Sequence, residues 1–425
     1  MSKKSKRLIN TGLFLLATAF AVLSLELIFR AMLFSDIKAF SFLRSPYEYA
    51  PNIREGNLDY YDEDFWKLNY LFNRQFVIND PHPLLGWTGA ADKKTFKHRE
   101  EDLLNGRRPV LLFGDSFAQC VDSVDCFEEI LNSDPEFSDN HFLLNYGVGG
   151  YGVDQIYLLF NEAAGRFKDP FIIFSMLTVD LDRSMLKVRD AQKPYFELTE
   201  NGLILKGVPI TLSSDEYFRQ NPPEIRSFLW NKFKNSPLYP SQDYRKEEMQ
   251  YIEEVKKINK AILQVAFQKL KNLNTPFLVL IFHPEHYPEN DWRLVFLMEL
   301  CRENNVPFIC DLDIKNMYSA FSNYDPEKFS IPIDCHPTTY LNTIISQEIK
   351  QCVINPGYMT GLLSGIEEQR RKPTPHRVYH IRKQILNTPD WLKNIREKAA
   401  QKGIPPDSMI LIDAIYMAEL EKSKQ

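Results

Sequence analysis

The chain of 425 residues has no tandem repeat and no low-complexity tract, so a repeat architecture or a biased tail is excluded at the outset. It has no clustered basic face to accompany its net charge of −5, and so no electrostatic footprint for a nucleic-acid partner. No CxxC pair and no His-rich spacing is present, and no metal site is expected. Cysteine is sparse, with six in all. Cys120 and Cys126 are close enough to bridge a local loop, and Cys301 and Cys310 can do the same. Buried free thiols are the alternative at each pair. Long apolar runs are missing too, with a single exception at the start.

That exception is Leu8 to Phe29, preceded by Lys3-Lys4-Ser5-Lys6-Arg7. About 20 helical residues at about 1.5 Å each cross the roughly 30 Å hydrocarbon core of a bilayer. Its one acid, Glu26, lies four residues before Arg30, so the two can pair on one helix face. Positive charge before the span puts the N-terminus in the cytoplasm and the remainder outside. The competing reading is a cleaved signal peptide, because Ala17-Thr18-Ala19 resembles a cleavage site.

The rest is globular in composition, 44% hydrophobic and 25% charged, and long enough for two or three domains. Residues 34–105 read as an aromatic- and Pro-rich lead-in that packs on the following domain, ending in the turn Asp80 to Trp87. His82, between two prolines, reads as a turn residue. From Pro109, apolar runs at 109–113, 141–145, 170–177, 276–282 and 306–310 are continuous rather than alternating, as buried parallel strands are. Amphipathic helical stretches at 153–167 and 244–273 lie between them. The expectation is an α/β fold, a parallel sheet with helices on both faces and functional residues at the C-terminal strand ends.

The segment 184–243 interrupts this pattern. It contains a hairpin around Asn201-Gly202 that reads equally as a lid or as a surface elaboration. After 355 three short helices, near 376–387, 390–402 and 407–422, form a small helical appendage, with Trp391, Leu392, Ile395 and Ala399 along one face.

The chemistry-bearing residues are Gly114-Asp115-Ser116 after the first strand, and Asp334-Cys335-His336-Pro337 far downstream. Nucleophilic acyl transfer needs a hydroxyl, a base to take its proton, and a carboxylate to orient that base, and these occur here in the order Ser, Asp, His. In an extended loop, residues two apart point the same way, so Asp334 and His336 can address one site. The glycine-rich turn Asn145-Tyr146-Gly147-Val148-Gly149-Gly150 follows the second strand. Together these three segments resemble three sequence blocks of the SGNH/GDSL hydrolases, over roughly residues 106–355.

The resemblance implies a three-layer, flavodoxin-like fold and cleavage of esters of lipids, sugars or acetylated polysaccharides, without a cofactor. It implies Ser116 as nucleophile, His336 as base and Asp334 as its partner. It further implies an oxyanion hole from the backbone N–H groups of Ser116 and Gly150. The family's third block carries an Asn whose amide is another donor. The corresponding segment here, Leu177-Thr178-Val179-Asp180, has none, and Thr178 is the remaining candidate. Losing one such donor typically costs about 10²–10³ in rate.

Other residues read as structural: His283 and His286 after the fourth strand, and Asp180 and Asp182 holding loops. Cys335 is a weak rival nucleophile. The expected organisation is an anchor at 1–33, a lead-in at 34–105, a hydrolase-like domain at 106–355 and an appendage at 356–425. The expected activity is an extracytoplasmic serine esterase acting on an acylated small molecule or glycan. The alternatives are an acyltransferase of surface-polysaccharide O-acetylation and a non-catalytic glycan-binding module.

Overall fold

The structure is a computed structural model, and it describes residues 3–50, 63–73, 78, 80–88, 103–236, 238–239, 245–355, 357–359 and 373–422. Much of the expected lead-in, including residues 51–62 and 89–102, lies outside the described residues. So does residue 356, where the appendage was expected to begin. The chain divides into two compact units, one of residues 1–87, 185–195 and 206–253, the other of residues 88–184, 196–205 and 254–425.

The second unit is built on a five-stranded parallel sheet. Its strands are β1 (Arg108–Gly114), β2 (His141–Gly147), β3 (Phe171–Leu177), β6 (Phe277–Phe282) and β7 (Phe308–Cys310), in the order β2-β1-β3-β6-β7. Counted within the sheet this is 2-1-3-4-5, the flavodoxin-like order. The intervening β4 (Tyr195–Thr199) and β5 (Gly202–Lys206) pair with each other as the expected hairpin.

Continuous apolar sequence becomes strands buried on both faces because helices cover both. Phe113 and Phe174 are register partners and so share a face. Both pack edge-on against Phe160, in the helix Val153–Ala163, at 5.6 and 5.9 Å between ring centroids. Phe282 lies three residues beyond Val279, the partner of Phe174, and so points to the other face. There it meets Phe117 at 5.4 Å and Phe127, at the start of the helix Phe127–Ser133, at 6.3 Å.

Proline sets several strand boundaries. β3, β6 and β7 each start one residue after Pro170, Pro276 or Pro307, which have no N–H for the ladder. Pro109 is tolerated in central β1 because pairing to β3 begins only at Val110.

The appendage forms its own small core. The helices Pro375–Asn387, Pro389–Lys402 and Pro406–Lys422 bury Val378, Ile381, Ile385, Ile395, Ala399 and Met409, with Trp391 and Leu392 packed against them.

In the first unit, the helix Lys3–Leu33 carries a stretch, Ile9–Leu33, that is long and apolar enough to cross a membrane. Its last turns are tied down. The Glu26 carboxylate accepts from Ser227 Oγ (2.8 Å) and from the amides of Phe228 (2.9 Å) and Leu229 (3.1 Å). Arg30 donates to Glu26 (2.7 Å) and to the carbonyl of Arg226 (2.9 Å). Leu33 joins a core with Leu43, Tyr49, Leu68, Ile225 and Phe228. The intrahelical pair expected from the four-residue spacing is therefore present, and it also holds a distant segment. Nearby in sequence, His82 bridges Gly86 in a tight turn.

Candidate active site

Strand β1 ends at Gly114, and the chain turns at once into the short helix Ser116–Gln119. Asp115 caps this helix, one carboxylate oxygen accepting from Phe117 N at 2.9 Å. Its other oxygen accepts from Arg183 Nη1 at 3.1 Å. The same guanidinium reaches Asp180 Oδ1 (2.6 Å) and the Tyr151 carbonyl (3.2 Å). One buried arginine thus ties together the turns that follow β1, β2 and β3. Asp115 and Asp180 hold the loops, the role expected for Asp180, while Asp182 pairs with buried Arg293 at 2.5 Å.

The turn after β2 passes directly beside Ser116. A β-carbon built on Gly149 would lie 3.8 Å from Ser116 Cβ, and one on Gly147 only 2.3 Å from Gln119 N, which any side chain there would clash with. Gly150 has φ +82°, and Tyr151 N bonds to Val148 O at 3.3 Å. That is a type II turn, with glycine at the position that needs positive φ. Gly149 N donates to Gln119 Oε1 (2.6 Å), and Asn145 Nδ2 donates to the Ala118 carbonyl (2.8 Å). Asn145 therefore fixes the end of the Ser116 helix.

A disulfide between Cys120 and Cys126 closes the loop after that helix. The other candidate pair is not bonded: Cys301 and Cys310 are separate buried thiols. The loop also receives the helix Thr339–Ile354, which follows the His336 segment. Asn342 Nδ2 donates to Asp125 O (2.9 Å), and Asp125 N donates to Thr339 Oγ1 (3.0 Å). Sequence positions more than two hundred residues apart are joined there.

His336 Nδ1 lies 2.7 Å from Asp334 Oδ1. A carboxylate accepts, so Nδ1 carries the proton and Nε2 carries the lone pair. Nε2 is buried and has no hydrogen-bond partner among the described residues. The imidazole packs on Phe117, the neighbour of half-exposed Ser116, at 4.9 Å between ring centroids. The loop that does this is not extended, contrary to the geometry expected from sequence. Ile333 and Cys335 have φ of 72° and 65°, and turns such as Cys335 N to Ile331 O (2.9 Å) fold the segment tightly. Positive φ at a β-branched residue is an outlier, and such strain concentrates at functional sites. A left-handed Cys335, rather than strand alternation, brings Asp334 to His336. Burial and then the Asp334 charge raise the Cys335 thiol pKa, which disfavours a thiolate there.

Thr178 is placed differently. Its Oγ1 is 3.2 Å from His283 Nδ1, and His283 Nε2 is 3.1 Å from the Pro288 carbonyl. Only Nε2–H can bond that carbonyl, so Nδ1 accepts and the Thr178 hydroxyl donates its proton to it. Burial depresses the His283 pKa to about 3, keeping the ring neutral. Val179 is buried and apolar.

Sequence reasoning passed over one further group. Glu285, His376 and His380 bring one ligand atom each to within 4.8 Å of one another. The signal was the i, i+4 pair His376-x-x-x-His380, on one helical face, which a search for CxxC or His-rich spacing does not see.

No family model matches the chain, and no curated protein matches it. Among solved structures, the acetylxylan esterase Axe2 from Geobacillus stearothermophilus is 13% identical, with a TM-score of 0.32 over 58% of this chain and 94% of that one. LAE5, an α/β hydrolase enzyme from the metagenome of Lake Arreo in Spain, is 10% identical, with a TM-score of 0.34 over 61% and 97% of the two chains. TM-scores this low carry no argument about activity.

Proposed function

We propose that this protein is a membrane-anchored, extracytoplasmic serine ester hydrolase of the SGNH/GDSL type that removes O-acyl groups from glycans. The observation that carries the reading is the Asp334–His336 pair at 2.7 Å, with a buried and unengaged Nε2 on a ring that packs against Phe117, next to Ser116. A base in that tautomer accepts a proton from a serine hydroxyl.

In this mechanism Ser116 Oγ attacks the ester carbonyl as His336 Nε2 takes its proton, and Asp334 stabilises the imidazolium. The amides of Ser116 and Gly150 are the oxyanion donors. Ser116 opens a helix, where first-turn amides have no intrahelical acceptor, and the Gly150 amide meets no backbone acceptor among the described residues. The imidazolium then protonates the departing alcohol, and water hydrolyses the acyl-enzyme by the reverse sequence. Acetylated glycans suit the exported location.

Export is supported by the Cys120–Cys126 bond, since disulfides persist in oxidising compartments. An uncleaved anchor is supported by what cleavage after Ala19 would leave behind. Phe20, Val22, Leu23, Leu25, Leu27 and Ile28 are all exposed and would remain on the mature protein. From Ile9 to Leu25 the helix rises about 25 Å, close to the hydrocarbon thickness.

Full-length protein in detergent should release p-nitrophenol from its acetate ester and be labelled by a fluorophosphonate. Ser116→Ala should abolish both. Equal hydrolysis by parent and variant would remove Ser116 as nucleophile. An unlabelled parent that binds acetylated oligosaccharide would leave a glycan-binding module in place of the enzyme.

A further inference from the structure

We propose that Glu285, His376 and His380 form a binding site for a divalent transition-metal ion of the zinc type. The site joins the helical appendage to the loop that follows β6. It is independent of the esterase reading, because none of its ligands belongs to the Ser116 machinery.

The geometry is that of a coordination shell. His376 Nε2 and His380 Nε2 face each other at 3.1 Å. Glu285 Oε1 is 3.5 Å from His376 Nε2. The Glu285 backbone carbonyl stands 3.1 Å from His380 Nε2 and 3.4 Å from His376 Nε2. Zinc bonds to nitrogen and oxygen are about 2.0–2.2 Å, so the edges of a tetrahedral shell are about 3.3 Å. These four separations bracket that value, and the three side-chain ligand atoms all lie within 4.8 Å of one another. Two imidazole nitrogens and a carboxylate oxygen are a set that zinc takes, and the Glu285 carbonyl oxygen stands beside them as a fourth donor.

The surroundings fit a cation. His376 is almost wholly buried, and its other nitrogen, Nδ1, has no hydrogen-bond partner among the described residues but lies 3.6 Å from Glu289 Oε1. A carboxylate behind the distal nitrogen is how metal-bound histidines are oriented. Tyr324 OH donates to Glu285 Oε1 (2.7 Å), and Thr374 and Asn316 (3.3 Å) donate to Glu289. Among the described residues the local acids are Glu285, Glu289 and Asp311; Lys315 is 2.9 Å from Asp311 and 3.2 Å from Glu285, and the nearby Arg377 is paired with Glu421 at 2.7 Å. Glu285 and Glu289 thus stand directly beside the imidazole pair, at 3.5 and 3.6 Å from the two nitrogens of His376. His380 is only partly buried, leaving a route for the ion.

The metal-free alternative is a hydrogen-bonded imidazole pair, His380 Nε2–H shared between the Glu285 carbonyl and His376 Nε2. The two differ in what the protein takes up. Untagged full-length protein in detergent, stripped with EDTA and dialysed, is titrated with Zn²⁺ alone against a chromophoric chelator. One equivalent should bind, and Co²⁺ should give the visible d–d bands of a four-coordinate site. His380→Ala, at the more exposed ligand, should weaken binding at least tenfold, as should Glu285→Gln. The parent binding no Zn²⁺ and giving no Co²⁺ bands would overturn the site whatever the variants do. Stoichiometric binding that His380→Ala and Glu285→Gln leave unchanged would overturn it equally. Neither readout depends on ester hydrolysis, so a catalytically inert parent that binds zinc separates this site from the proposed activity.

Discussion

Replacing Asp334 by Asn tests the candidate active site at its most distinctive contact. The bond to His336 is 2.7 Å, but the Asp334 side chain is 48% exposed and the His336 side chain 17%. A fully buried carboxylate in this role is worth about 10⁴ in kcat. A hydrogen bond to a charged group contributes about 1.5–3 kcal/mol, and each 1.36 kcal/mol is tenfold in rate, which gives roughly 10- to 150-fold. Exposure decides between the two figures. With half of Asp334 in water, solvent in the variant still stabilises part of the imidazolium charge, so kcat/KM should fall about 10- to 100-fold. His336→Ala removes the base itself and should cost about 10³-fold or more. The assay is the initial rate of p-nitrophenyl acetate hydrolysis over a range of substrate concentrations, with circular dichroism to confirm folding. Asp334→Asn within twofold of the parent would refute the assignment. A loss equal to that of His336→Ala would show that the carboxylate is shielded from water when substrate is bound.

The Cys120–Cys126 bond spans a sequence separation of 6, for which chain entropy gives a contribution of about 2 kcal/mol. The double Cys→Ala variant should therefore melt about 4–8 °C lower, by calorimetry, and an unchanged Tm would mean that the bond adds no stability in solution. Glu26→Gln replaces a carboxylate that serves three donors of the 227–229 segment, at a cost of about 1–3 kcal/mol. Limited proteolysis should become faster within residues 225–231, and an unchanged cleavage pattern would show that Glu26 does not hold that segment.

The sheet was legible because buried parallel strands require continuous apolar runs, and each of the five runs became a strand within two residues. The late starts of β3, β6 and β7 have a common cause in proline, which ends a hydrogen-bond ladder without interrupting apolarity. The Asp334–His336 pairing was legible as a spacing, but its backbone was not. Nothing in Ile333-Asp334-Cys335 announces two left-handed residues, because neither Ile nor Cys favours that conformation. Arg183 was invisible as an organiser, since its three partners lie at 115, 151 and 180 and come together only when the strands are side by side. The grouping of 185–195 and 206–253 with the N-terminal residues was equally beyond reach, because it depends on contacts of high sequence separation such as Glu26 with Phe228.

The turn after β3 bears on why the third oxyanion donor of the resembled family is missing. Two amides and the one hydroxyl there have other tasks. The Leu177 amide bonds Asp180 Oδ2 (2.8 Å), the Thr178 amide bonds Phe282 O (2.9 Å), and the Thr178 hydroxyl donates to His283. Asp180 is held by the guanidinium that also fixes Asp115. In the proposed reading this turn supports the nucleophile's helix from behind and does not face the oxyanion. Stabilisation then falls to the two amides of Ser116 and Gly150, at a typical cost of about 10²–10³ against a three-donor site. A site so arranged retains acyl-enzyme chemistry at reduced speed. In the proposed reading, an anchored enzyme meets a membrane-held acylated substrate at high local concentration, which offsets reduced speed.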